Sequence, residues 1–358
     1  AFSSTTTMSG KAAFITGYVD DDAENDTDEI TMEYMYQLNL NTSFTGEDNL
    51  YTRIKTGNVS DHFKDKGQNT YLSAANGNGG TLKVDKLWYQ FPVGDNLQVW
   101  VGPRIENYYM LASAPSIYKP VTKQFALGGN GSAYGSSTSP GFGAAWTQSV
   151  EDPMDPRFAL SVNYTSKDGA SSSKGLLGDN NRNFLLTKVE YGSPRWQVSL
   201  AAAKKDGHSS KAGYDGYFHS SLASSTVGEM TAYGVRAYWK PETSGAVPSV
   251  QIGYDTASFD EATAGQAEET EGWMIGLNWK DLFIDGNSAG VAIGSEMAAT
   301  EIKGGGTDPS EDNSVWEAYY TFKVNDGVSV TPAIFGSTDV SGADKDVNGA
   351  VLLTEFRF

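Results

Sequence analysis

The sequence predicts an all-β protein: a transmembrane antiparallel up-and-down β-barrel of about 16 strands, with one loop folded inward as a constriction. Three observations carry that prediction. Apolar and polar residues alternate with period two through long segments, the connections between those segments run short and long in turn, and helical spacing is almost absent. Ile30 to Phe44 is the clearest segment. Ile30, Met32, Tyr34, Tyr36, Leu38, Leu40, Thr42 and Phe44 point one way, and Thr31, Glu33, Met35, Gln37, Asn39, Asn41 and Ser43 the other. Soluble strands average roughly 5–6 residues. A much longer strand with one apolar and one wet face suits a bilayer wall around water. The last segment repeats the pattern, with Ala350, Leu352, Thr354, Phe356 and Phe358 against Val351, Leu353, Glu355 and Arg357.

In chain order the predicted strands are 4–19, 30–44, 49–57, 82–93, 97–108, 141–149, 158–166, 183–192, 196–205, 230–239, 249–259, 270–279, 288–297, 314–323, 328–335 and 349–358. Short connections fall at Thr45 to Asp48, Gly94 to Asn96, Ser193 to Arg195 and Val324 to Gly327. Long ones fall at 20–29, 58–81, 109–140, 167–182, 206–229, 260–269, 298–313 and 336–348. One rim of tight turns and one of long loops is the signature of an outer-membrane barrel. A soluble two-sheet protein seldom keeps such alternation. Aromatic residues near strand ends, among them Trp88, Trp146, Tyr191, Trp196, Trp239, Trp273, Trp316 and Phe356, fit interfacial girdles.

Composition narrows the function. The 358 residues carry 44 acidic and 26 basic side chains, a net −18, with no cysteine. That balance lacks the clustered Lys and Arg that nucleic acid requires. It also excludes disulfide scaffolds, thiolate metal sites and cysteine nucleophiles. A mean hydropathy of −0.40 looks soluble, but lipid-facing strands expose only every second residue, so a barrel keeps a low average. Ala1 to Thr7 has neither the charged start nor the apolar core of a signal peptide.

Three segments resemble the outer-membrane porins of cyanobacteria, whose members carry an S-layer-homology domain ahead of the barrel. They are Phe2-Ser3-Ser4-Thr5-Thr6-Thr7-Met8-Ser9-Gly10; Leu40-Asn41-Thr42-Ser43-Phe44-Thr45-Gly46-Glu47-Asp48 with Thr52-Arg53 and Thr56-Gly57-Asn58; and Tyr89-Gln90-Phe91-Pro92-Val93-Gly94-Asp95 with Val101-Gly102. The terminal Phe358 is similar to the assembly signal of outer-membrane barrels generally. The resemblance implies a homotrimeric sixteen-strand pore in the cell outer membrane for inorganic ions and small solutes. Relatives have been labelled iron-uptake or carbohydrate-selective porins. It leaves the chain a single barrel over 1–358, with the S-layer-homology domain absent from these residues and expected only ahead of Ala1.

In a porin the chemistry is selection, set by bore and by charge at the narrowest point. A barrel this wide needs an inward fold to narrow it, and the connection 109–140 is the candidate. It holds Lys119 and Lys123, four aromatic rings and no acidic residue. One reading is a basic constriction that attracts anions. The other is an external loop whose lysines pair with wall carboxylates such as Glu106, Glu317 or Asp255. Strand phase turns Arg53, Lys55, Arg104, Glu106, Lys188, Glu190, Arg236, Asp255, Glu317, Glu355 and Arg357 inward, since a charge facing mid-bilayer lipid costs roughly 2–4 kcal/mol. The expected constriction set is therefore Lys119, Lys123, Arg53, Lys55, Arg104, Glu106 and Arg236.

Acidic side chains concentrate elsewhere, seven of them within 20–29 and five within 257–271. Both segments are expected to lie largely in external loops. Asp20, Asp21, Asp22 and Glu24 offer hard oxygen ligands for a divalent cation. They equally suit a solvated acidic surface, and no firm metal site emerges. No cofactor is expected. His62, His208 and His219 lie in long connections without zinc-ligand spacing, and Ser221 near His219 does not make a nucleophile–base pair. The Gly-rich run 128–135 lacks a P-loop lysine. A non-enzymatic pore is thus expected, with a structural anchor or adhesin next, and an outer-membrane hydrolase after that.

Overall fold

Backbone hydrogen bonds close one antiparallel sheet on itself in the structure, a computed structural model that describes residues 5–20, 29–129, 132–135, 138–206, 229–308, 310–340 and 345–358. The strands are β1 (Thr6–Asp20), β2 (Thr31–Thr42), β3 (Asn49–Gly57), β4 (Lys83–Val93), β5 (Leu97–Ile105), β6 (Ser139–Thr147), β7 (Arg157–Ser166), β8 (Asn183–Ser193) and β9 (Trp196–Asp206). They continue with β10 (Met230–Trp239), β11 (Ser249–Phe259), β12 (Ala267–Lys280), β13 (Ser288–Gly294), β14 (Ala298–Ile302), β15 (Ser314–Lys323), β16 (Val328–Thr338) and β17 (Val347–Arg357). Pairing follows chain order, and β1 seals the barrel against β17 from Lys11↔Arg357 to Asp20↔Asn348. No strand edge is left to face lipid, which a bilayer demands. β13 and β14 both pair with β12 and form one stave broken at Ser295–Met297, so the barrel has sixteen staves.

Alternation sets the faces as the sequence reading expects. Ile30 and Met32 are both 72% exposed on the outside while Glu33 and Met35 are buried inside. Leu160, Val189, Leu200, Val235, Ile252 and Ile275 continue the apolar outer band. Near the short turns Trp146, Phe158, Tyr191, Trp196, Trp239 and Phe322 lie on the outer face. Phe158 packs on Tyr191 at 4.5 Å and Tyr191 on Trp196 at 5.7 Å. Trp88 is a correction. It faces the lumen, buried between Tyr51 and Tyr109, so it belongs to no girdle.

Two further expectations are revised. The fifth strand ends at Ile105 rather than 108, where a register shift between Gly102 and Ile105 inserts one extra residue opposite β6. Ala298–Ile302 was expected in a loop but resumes the sheet, and the break before it turns Glu296 inward to accept from Asn69 Nδ2 at 3.2 Å. For the same reason Glu268 and Glu269 ride on β12 rather than in an external loop, next to Glu271, which lies within the expected strand.

The short turn between β2 and β3 is fixed by small polar groups. Asp48 Oδ1 accepts from the Phe44 and Thr45 amides and from the Ser43 and Thr45 hydroxyls, all at 2.8–2.9 Å, while Oδ2 takes the Tyr89 hydroxyl at 2.6 Å. The Tyr89 hydrogen bond, then those amides and hydroxyls, hold the Asp48 carboxyl well below the usual carboxylate range. A depressed carboxylate stabilises the fold above its unfolded value of about 3.9, and that stabilisation fades as pH falls to its folded value. Asp48→Ala is expected to lower the melting temperature at pH 7. The gap from wild type should persist near pH 4 and close only at lower pH, as followed by circular dichroism in detergent. Leu200→Arg, on the lipid face, should lower folding stability in vesicles by about 2–4 kcal/mol, measured by urea titration.

Candidate functional site

The third long connection enters the bore. Leaving β5, it forms a 3-10 turn at Asn107–Tyr109, crosses the lumen, makes a second turn at Lys123–Phe125, and returns to β6. Wall side chains hold it along the way. From β7, Asn163 Nδ2 donates to the carbonyls of Asn107 and Met110 at 3.0 and 3.2 Å, and Ser161 Oγ accepts from the Ala112 amide at 2.9 Å. On β8, Lys188 Nζ donates to the Ser113 carbonyl and hydroxyl, both at 3.0 Å, and also pairs with Glu190. β11 and β12 take the next stretch, Gln251 Oε1 accepting from the Ile117 amide at 3.0 Å and Asn278 Oδ1 from the Lys119 amide at 2.8 Å.

Glu317 of β15 is the strongest anchor. Its buried carboxylate accepts from the Tyr118 hydroxyl at 2.8 Å, the Val121 amide at 3.1 Å, the Thr122 amide at 2.7 Å and the Thr122 hydroxyl. Burial, and then the neighbouring Glu317 charge, push the Tyr118 hydroxyl far up. That phenol is a donor only. Further along, Gly128 follows the wall so closely that a Cβ on Gly253 would meet the Gly128 carbonyl oxygen at 1.5 Å.

The expected constriction residues therefore divide. Lys119 and Lys123 do line the open passage, a cavity of about 980 Å³, together with Glu106, Lys11, Lys66, Glu355 and Arg357. Among the described residues neither loop lysine makes an ion pair. Lys123 Nζ lies 4.6 Å from the centre of the Tyr71 ring. Asp255 and Glu317, the candidate neutralisers, are engaged elsewhere. Glu106 pairs with Lys86 at 2.5 Å and accepts from Thr138 at 3.1 Å.

Arg236 is not an eyelet residue. It is buried, donates from Nη2 to both Asp255 oxygens at 2.8 and 2.9 Å and from Nε to the Leu127 carbonyl at 2.8 Å, and stacks 5.2 Å from the Tyr134 ring. Burial pushes that tyrosine up to about 12. Arg53 also stays at the wall, with Nε on Asp85 at 2.5 Å and Nη1 on the Tyr109 hydroxyl at 3.4 Å. Lys55 and Arg104 border a separate recess, and the β5 bulge turns Arg104 out of phase, opposite Leu87. Asp20 is an exposed residue at the end of β1, while Asp21, Asp22 and Glu24 lie outside the described residues, as do His208, His219 and Ser221. His62 meets Ser60 and Thr31 at 3.1 Å, but the Ser60 hydroxyl donates to Glu33, which ties the second loop to β2 rather than priming a nucleophile.

That second loop is what sequence reasoning missed. Residues 58–82 also fold inward, with Val59, Phe63, Leu72, Ala74 and Ala75 packed on Ala13, Ile15, Phe335 and Val351 of the wall. Its tip pairs with the third loop through Ser73 N to Val121 O and Lys123 N to Tyr71 O, both 2.7 Å. The signal was present: Phe63, Tyr71 and Leu72 are large apolar residues in a connection otherwise rich in Asn, Asp, Gly and Lys.

The sequence and the barrel are matched elsewhere. The family model described as carbohydrate-selective porin, OprB family, covers residues 2–357. The chain belongs to that family. Two curated relatives of this OprB-family chain are uncharacterized proteins, of Nostoc sp. at 25% identity over the whole chain and of Synechocystis sp. at 24% over 84% of it. The chain spans 66% and 59% of their respective lengths. Among solved structures, Pseudomonas putida OprB at high pH aligns over 99% of this chain and 94% of its own, at 14% identity and a TM-score of 0.67. A triple mutant of Rh. blastica porin aligns over 99% and 100%, at 12% identity and a TM-score of 0.57. At those identities the likeness is one of fold.

Freeing the loop should widen the bore. Glu317→Ala removes the acceptor of four loop donors, and Gly253→Leu drives a side chain into the Gly128 carbonyl. Each is expected to raise single-channel conductance and open-channel noise in planar bilayers relative to wild type.

Proposed function

We propose that this barrel is an outer-membrane porin, a passive diffusion channel for small hydrophilic solutes, assembled as a homotrimer. The observation that carries the reading is the lining of the passage. Among the described residues, the basic side chains that line it are Lys11, Lys66, Lys119, Lys123 and Arg357 and the acidic ones are Glu106 and Glu355, with Glu355 itself paired with Lys11 and Arg357. A whole-chain charge of −18 suggests a cation pore, yet the rim acids are screened beyond roughly 8–10 Å at physiological salt. Cations in a narrow, partly desolvated aperture are screened far less. The bore accordingly favours small anions over cations of equal size.

Neutral sugars fit the same passage. The family name points to carbohydrate, and Tyr108, Tyr109, Tyr118 and Tyr319 present rings beside lysines and hydroxyls. Flat aromatic faces with a few placed polar groups are the usual composition of a small-molecule site. Iron uptake and cell-wall anchoring have no such support in these residues. For the trimer, the outer face of β1 and β15–β17 offers an apolar groove floored by Gly17, Ala318, Pro332 and Ala350, a surface on which a second barrel wall packs closely.

Reversal potentials in a salt gradient test the selectivity. Wild type is expected to prefer chloride over potassium, and the Lys119→Glu plus Lys123→Glu variant to lose or invert that preference. An unchanged preference would remove the two lysines from the selective zone.

A further inference from the structure

The second recess, beside the open passage, points to a binding site of its own. It has a volume of about 410 Å³ and is lined by Lys55, Asn76, Asn78, Lys83, Asp85 and Arg104 at the long-loop ends of β3, β4 and β5. Its charges are set by register. Lys55 stands directly opposite Lys83, and Arg53 directly opposite Lys86, two like-charge cross-strand pairs in succession. Such pairs destabilise a sheet unless opposite charge is supplied.

The inner pair is compensated, Arg53 by Asp85 and Lys86 by Glu106. The outer pair is not. Among the described residues Lys55, Lys83 and Arg104 make no ion-pair contact, and the one acid in the recess, Asp85, bonds to Arg53 and acts on Lys55 only through space. Arg104 spends its Nε on the Asp85 carbonyl at 3.4 Å and keeps its two terminal nitrogens for another acceptor. Two ammonium groups, a guanidinium and nearby amides around a half-open recess match a tetrahedral oxyanion.

We propose that this recess binds a phosphate group, supplying the negative charge that the Lys55–Lys83 pair lacks. Two sources share that chemistry. Phosphate esters in the external medium are one. The other is a phosphorylated glycolipid of the surrounding leaflet, which Arg104 can reach because it shares the outward side of β4 and β5 with Leu87.

Thermal unfolding of the full chain in detergent tests this, with inorganic phosphate, a phosphorylated glycolipid or chloride added at matched ionic strength. Wild type is expected to melt several degrees higher with at least one phosphate probe than with chloride. Stabilisation by inorganic phosphate identifies the free source, and stabilisation by the glycolipid alone identifies the lipid. Lys83→Gln and Arg104→Gln should each abolish the gain, while Lys83→Gln without ligand should melt no lower than wild type because the repulsion is gone. Phosphorus co-purifying with the protein should fall in the same variants. No gain with either probe, or an equal gain in both variants, would overturn the assignment.

Discussion

Hydrocarbon gives a peptide group nothing to bond to, and that constraint governs the whole molecule. It forces the sheet to close through β1 and β17 and turns most ionised strand side chains toward the lumen. Closure then creates the next problem, a lumen too wide to discriminate. Inward-facing charges provide the solution, because the same phase rule that exiles them from lipid places them where a loop can bind. Glu317, Arg236, Lys188 and Asn163 are lumenal by strand parity and loop anchors by chemistry.

Those anchors explain why the constriction is made of polar contacts. A loop crossing a water-filled bore exposes amides and carbonyls that no neighbouring strand satisfies, and buried ones must find partners. Glu317 meets four donors at once, so its carboxylate organises the loop backbone from Tyr118 to Thr122. Arg236 does the converse, bringing its Nε donor to the Leu127 carbonyl while Asp255 balances its charge. The basic passage follows from this division, since the wall acids are consumed in holding the loop while Lys119 and Lys123 remain at the opening.

Much of the barrel was legible because period two is a strong signal when it lasts ten residues and lipid enforces it. The strand ends at Asn49–Gly57, Met230–Trp239, Ser249–Phe259 and Ser314–Lys323 fall where alternation begins and stops. Bulges were not legible. An extra residue near Asp85 or Pro103 leaves composition unchanged yet reverses the side a residue faces, which is why Arg104 parted from the phase of Trp100. The loop–wall partners were half legible: parity showed that Arg236 and Glu317 face inward, but which lumenal charge clamps and which lines the passage depends on contacts between positions more than a hundred residues apart. Inward folding of the second loop was hidden because its few anchors, Phe63 and Leu72 among them, follow no period.

The joint between the two inner loops has a consequence for how such a protein can change over generations. Ser73 meets Val121, and Lys123 meets Tyr71, through main-chain atoms alone, so the width of the opening is written in the backbone and its charge in the side chains. Replacing Lys123 or Tyr71 alters the chemistry of the opening without undoing the splice that spaces the loops. The lining of the opening is thereby open to revision one residue at a time, on a frame that need not be rebuilt.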